Sequence, residues 1–64
     1  MKITYDIIDK RVYIATNKGN VYIGHIVDVC PEYDSDDGKK GIYLITDNEQ
    51  LYLSENDIKL IEVL

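Results

Sequence analysis

Sixty-four residues with one cysteine, Cys30, and one histidine, His25, exclude an internal disulfide and the four-ligand shell of a structural zinc site. A domain this small buries only about 60% of the surface of its unfolded chain, so self-association is the stabiliser that remains. Seven cations stand against twelve carboxylates, for a net charge of −5, and only Lys10-Arg11 and Lys39-Lys40 cluster, which argues against a grip on nucleic acid through its phosphates.

Residues 1–64 read as a single all-β domain with no Pro/Gly/Ser linker. At the start Ile3, Tyr5 and Ile7 alternate as a strand would, while Tyr5 to Lys10 fits a short helix equally well. Four aliphatic-Tyr-aliphatic triplets follow: Val12-Tyr13-Ile14, Val21-Tyr22-Ile23, Ile42-Tyr43-Leu44 and Leu51-Tyr52-Leu53. Alternating β-branched and aromatic residues predict strands whose aliphatics share one face and whose tyrosines take the other. Asn17-Lys18-Gly19-Asn20 is a hairpin turn. With Lys18-Gly19 as its central pair, Thr16 faces Val21, Ile14 faces Ile23, and Tyr13 covers Gly24.

The run from Val21 to Cys30 would span about 33 Å if straight, against a diameter of roughly 28 Å for a compact chain of this length. The strand must therefore bend, with Gly24 the natural bending point and Pro31 its end. Glu32 to Gly41 is polar, with an Asp37-Gly38 turn signal, and reads as a mobile hairpin tip. Thr46-Asp47-Asn48-Glu49-Gln50 repeats the grammar of the first hairpin. Ser54-Glu55-Asn56-Asp57 is a polar break, read as one helical turn before a last strand from Ile58 to Leu64. A bent second strand in a five-stranded antiparallel meander closes into a small barrel without free edges.

From Lys10 to Leu64 the chain resembles the Sm-like family, a barrel of the Src-homology-3 type, and in particular the small Sm-like proteins of Gram-positive bacteria and their phages. The residues that carry the resemblance are Val12 to Thr16, the Lys18-Gly19 turn, Val21-Tyr22-Ile23-Gly24 with Asp28, and the ending Asn56-Asp57-Ile58-Lys59-Leu60-Ile61. It implies a bent five-stranded barrel, assembly into rings or dimers, and RNA binding. Family members that hold RNA present an Asp-x-φ-Asn element after the second strand and an Arg-Gly-Asp type element before the fifth. Here those places hold Pro31-Glu32-Tyr33-Asp34 and Ser54-Glu55-Asn56, so the nucleotide-contacting arginine is replaced by Ser54 and the RNA role is weakened.

Tyr13, Tyr22, Tyr43 and Tyr52 form the candidate binding face, because an exposed tyrosine supplies a large contact area and a hydroxyl. The competing reading is that their rings cover a second small core in so curved a barrel. The acidic tip, Glu32, Asp34, Asp36 and Asp37, reads either as a solvated turn or as a mimic of nucleic-acid phosphates aimed at a basic cleft. It is not a calcium loop, since counting from Asp34 puts Gly38 fifth and Ile45 twelfth, and no metal is expected. His25 and Cys30, the only conventional nucleophile and base, sit five apart and so on opposite faces unless the strand bulges between them. Cys30 is more simply a small core residue.

Neither catalysis nor a cofactor is expected. Ile58, Leu60, Ile61 and Val63 in the terminal strand form an apolar edge that pairs either with the chain's own first strand or with a neighbouring subunit. A lone thiol and an N-terminus without a long apolar run predict a cytoplasmic protein that does not enter a membrane. The expectation is a non-enzymatic, self-associating homo-oligomer that binds a protein partner, a small regulatory or phage counter-defence adaptor. Two alternatives stand beside it: an oligomer that sequesters a small nucleotide in a pocket between subunits, and Sm-like RNA binding, disfavoured by the acidity and the missing arginine.

Overall fold

The computed structural model describes residues 3–64. Five antiparallel strands, β1 (Arg11–Thr16), β2 (Val21–Cys30), β3 (Gly41–Ile45), β4 (Gln50–Ser54) and β5 (Ile58–Val63), form one sheet in the order β4-β3-β2-β1-β5. The all-β class and the five-strand antiparallel sheet are as expected; the closed barrel is not. β4 and β5 each keep one unpaired edge. A tight hairpin would have paired them, but the 3-10 turn Glu55–Asp57 diverts the chain and sends β5 to β1 instead. β5 thus pairs with the chain's own first strand, one of its two expected partners.

β2 bends, as its length demands: the longest extent of the molecule is 29 Å and its radius of gyration 10.6 Å. It changes partner at His25. Its first half pairs with β1, from Ala15↔Val21 to Arg11↔His25, and its second half with β3, from His25↔Ile45 to Cys30↔Gly41. Gly24 sits at the changeover, where a Cβ would collide with the Ile45 carbonyl. A bulge at Val27, between Ile26 and Asp28, then resets the parity, so that Ile26 and Val29, three apart, are both buried.

The β1–β2 hairpin turns on three residues, not two. Thr16 N–H donates to Asn20 O (2.9 Å), Gly19 N–H to Thr16 O (3.1 Å) and Asn20 N–H to Thr16 Oγ1 (3.1 Å), and Gly19 adopts φ +89°, the left-handed position of a three-residue loop. The extra loop residue moves the register by one: Ala15 pairs with Val21, Ile14 with Tyr22, Tyr13 with Ile23 and Val12 with Gly24. A one-residue slip exchanges the faces of a strand. Tyr22 therefore turns inward beside Ile14, Val21 and Ile23 turn outward, and the expected cover of Tyr13 over Gly24 does not form.

The second hairpin differs from the first in having a two-residue loop, Asp47-Asn48. Thr46 N–H donates to Glu49 O (2.9 Å). What the hairpins share is the leading threonine, since Thr46 Oγ1 accepts from Glu49 N–H (3.1 Å) as Thr16 Oγ1 does from Asn20.

The core is Val12, Ile14, Ile26, Val29, Ile42, Leu44 and Ile58, closed by Ile3. Each such aliphatic contributes about 1.5–3 kcal/mol on full burial. Of the two readings of the N-terminus the helical one holds, as a single 3-10 turn, Tyr5–Ile7. It is held across the open end of the bent sheet: Ile3 N–H donates to the Glu55 carboxylate (3.2 Å), Ile3 O accepts from Lys40 Nζ (3.1 Å), and that ammonium lies 5.0 Å from the centre of the Tyr5 ring. Ser54 caps the expected helical turn before β5, its hydroxyl accepting from Asn56 N–H (3.2 Å).

Candidate binding recess at the tyrosine pair

Strand pairing sorts the four tyrosines. Tyr43 on β3 and Tyr52 on β4 are direct cross-strand partners on the outer face, with ring centroids 5.1 Å apart and planes tilted by 55°. Tyr13 faces outward too, but on β1 between Ile23 and Glu62. Tyr22 packs against the core, so one of the four rings takes the core-covering role. Tyr52 leans diagonally over Gly41, where any Cβ would overlap its ring and hydroxyl. The pairing of an aromatic ring with a strand glycine, expected at Tyr13 and Gly24, is found here.

The acidic segment folds against this pair. A 3-10 turn, Glu32–Asp34, is followed by Ser35, whose hydroxyl lies within reach of Glu32 O (3.2 Å) and Asp37 Oδ1 (3.0 Å). Asp37 Oδ1 accepts from Lys39 N–H (3.0 Å), and its Oδ2 accepts from the Ser54 hydroxyl of β4. The segment read as a mobile tip is thus tied back to the sheet. Asp34, Ser35, Asp36 and Asp37 form one wall of a recess of about 360 Å³; Tyr43 and Tyr52 form the other, and the buried Cys30 completes it. Glu32 is exposed outside it.

The Ser54 hydroxyl, then the Lys39 N–H, hold the Asp37 carboxyl below the usual carboxylate range. Burial, and after it the Cys30 thiol, push the Tyr52 phenol up to about 12. Contact with Cys30 raises Tyr43 as well, with burial, Asp28 and Asp34 adding to it. Both phenols are therefore protonated at neutral pH, offering neutral ring faces and O–H donors beside the ionised Asp37. The one contact of ion-pair length among the described residues is between Asp9 Oδ1 and His25 Nε2 (3.5 Å), away from the recess. Among the described residues, neither Asp34 nor Asp36 has a cation within ion-pair distance.

His25 and Cys30 do come to one side of the sheet, because the Val27 bulge intervenes. They lie opposite Ile45 and Gly41, four residues apart on β3, or roughly 13 Å along the strand, so the imidazole is out of reach of the thiol. Among the described residues no group of three His, Cys, Asp or Glu side chains is placed to hold a metal ion, and no helix is long and apolar enough to cross a membrane.

In the terminal strand Ile58 is core and Ile61 packs on the core, leaving Leu60 and Val63 as the exposed members of the proposed edge. Ser54 and Gly41 are site residues that the sequence alone did not mark, since the Ser54–Asp37 bond joins positions seventeen apart. Comparison with family models, with curated proteins and with solved structures gave no match.

Proposed function

We propose that this chain is a non-enzymatic binding module whose recess between Tyr43, Tyr52 and the acidic loop takes a basic segment of a partner protein. The observation that carries the proposal is the placement of two carboxylates without an ion-pair contact among the described residues, Asp34 and Asp36, against a tyrosine pair in one open recess. A guanidinium or ammonium group there meets ring faces and carboxylates together. A cation over a tyrosine contributes about 0.5–1 kcal/mol when exposed and about 2 when desolvated, and a carboxylate adds charge-assisted hydrogen bonds.

A nucleotide could stack on the same rings, but its phosphates would face Asp34, Asp36 and Asp37, and like charges at such distances repel. RNA meets the same obstacle. The bent meander with a 3-10 turn before its last strand supports an Sm-like affiliation, and with it a cytoplasmic regulatory or phage counter-defence adaptor that mimics a polyanion.

Calorimetric titration with arginine-rich, lysine-rich and glutamate-rich peptides of equal length, and with a panel of nucleotides, tests the proposal. Basic peptides are expected to bind with an affinity that falls as salt is added. Nucleotide binding without any basic-peptide binding would overturn it.

A further inference from the structure

A second surface stands apart from the recess, at the opposite end of β2. Strand pairing lays two rows across the outer face of β5, β1 and β2: Leu60, Ala15 and Val21 in one, Glu62, Tyr13 and Ile23 in the next. Val21, Ile23 and Leu60 are 52%, 47% and 40% exposed. These aliphatics are outside because the three-residue turn slipped β2 by one position, giving Tyr22 to the core and its two flanking aliphatics to solvent. Exposed aliphatics grouped on adjacent strands make this face the candidate for an interaction surface.

We infer that this face is covered by a second copy of the chain, related by a two-fold axis near Tyr13. The charges beside the apolar rows select that occupant. Arg11 lies two residues before Tyr13 on β1, and Glu62 lies directly across from Tyr13 on β5, so both point outward. Neither has an ion-pair partner among the described residues. A two-fold contact must be self-complementary, and an apolar centre flanked by one cation and one anion meets that demand: Arg11 of one copy stands opposite Glu62 of the other.

A standard interface covers about 800 Å² per partner, close to a fifth of the 4250 Å² that the chain exposes. The acidic loop hangs from the far end of β2, so two copies joined here keep their most negative segments apart.

Sedimentation equilibrium at micromolar concentration tests the inference. Wild-type protein is expected at twice the 7.4 kDa chain mass, and Ile23→Glu at the single mass with an unchanged circular dichroism spectrum. Leu60→Lys, on a different strand, is the second variant should Ile23→Glu unfold, with the same expected result. Arg11→Glu is expected to dissociate the dimer and the double variant Arg11→Glu, Glu62→Arg to restore it, while Tyr52→Ala leaves the mass at the dimer value. A monomeric wild type, a dimer indifferent to Ile23→Glu and Leu60→Lys, or one broken by Tyr52→Ala would overturn the inference.

Discussion

At Tyr52, partial desolvation of the phenol and then the neighbouring Cys30 thiol hold the phenol proton to about pH 12, against an ordinary value of 10.0. A folded-state pKa above the unfolded one gives stability that is complete below pH 10 and lost as the pH climbs towards 12. Alkaline titration followed by phenolate absorbance is expected to show a late tyrosine, and Tyr52→Phe to remove it. Asp37 has the opposite sign. Its carboxyl is held below 3.8 by Ser54 and Lys39, so its contribution is present above that value and fades as the pH falls through the folded pKa. The amide resonances of Ser54 and Lys39 are expected to report that acid transition, and Asp37→Asn to abolish it. Gly24 is a steric matter: Gly24→Ala forces its methyl against the Ile45 carbonyl, at an expected cost of about 1–3 kcal/mol in urea denaturation.

Among the elements, the four triplets, both hairpins and the turn before β5 were legible in the sequence, because alternation and turn residues are local signals. The register of the first hairpin was not. Asn17-Lys18-Gly19-Asn20 suits a two-residue or a three-residue loop, and the choice is made by what packs: with three, Tyr22 joins the core beside Ile14 and Gly19 supplies the left-handed residue. That single step moved Val21 and Ile23 to the surface, which no alternation count over β2 could reveal. The Val27 bulge was equally hidden, being compensated by Tyr43 and Leu44 on another strand.

For the site, the tyrosines and the acidic residues were visible as types; that Tyr43 and Tyr52 belong with Asp34 to Asp37, and Tyr13 and Tyr22 do not, required the strand order. Ser54 ties these pieces together, as cap of the last 3-10 turn and as anchor of the acidic loop. Ser54→Ala is expected to cost about 1 kcal/mol through the lost cap and also to accelerate amide hydrogen exchange over residues 34–37. Unchanged exchange there would show that the loop does not depend on the anchor.

At the scale of the molecule, charge is separated along β2. Residues 1–30 carry four cations and three carboxylates, whereas residues 31–64 carry three cations and nine carboxylates, and the loop richest in them walls the tyrosine recess. The open sheet keeps the two ends of β2 distinct, one apolar and one acidic. The most direct test is a nuclear magnetic resonance titration of the labelled protein with an arginine-rich peptide. The expected result is a set of shift changes confined to Cys30, Asp34 to Asp37, Tyr43 and Tyr52, with affinity reduced about tenfold, or ~1.4 kcal/mol, in Tyr52→Ala. Shift changes spread evenly over the surface, or centred away from the tyrosine pair, would contradict the assignment of the recess.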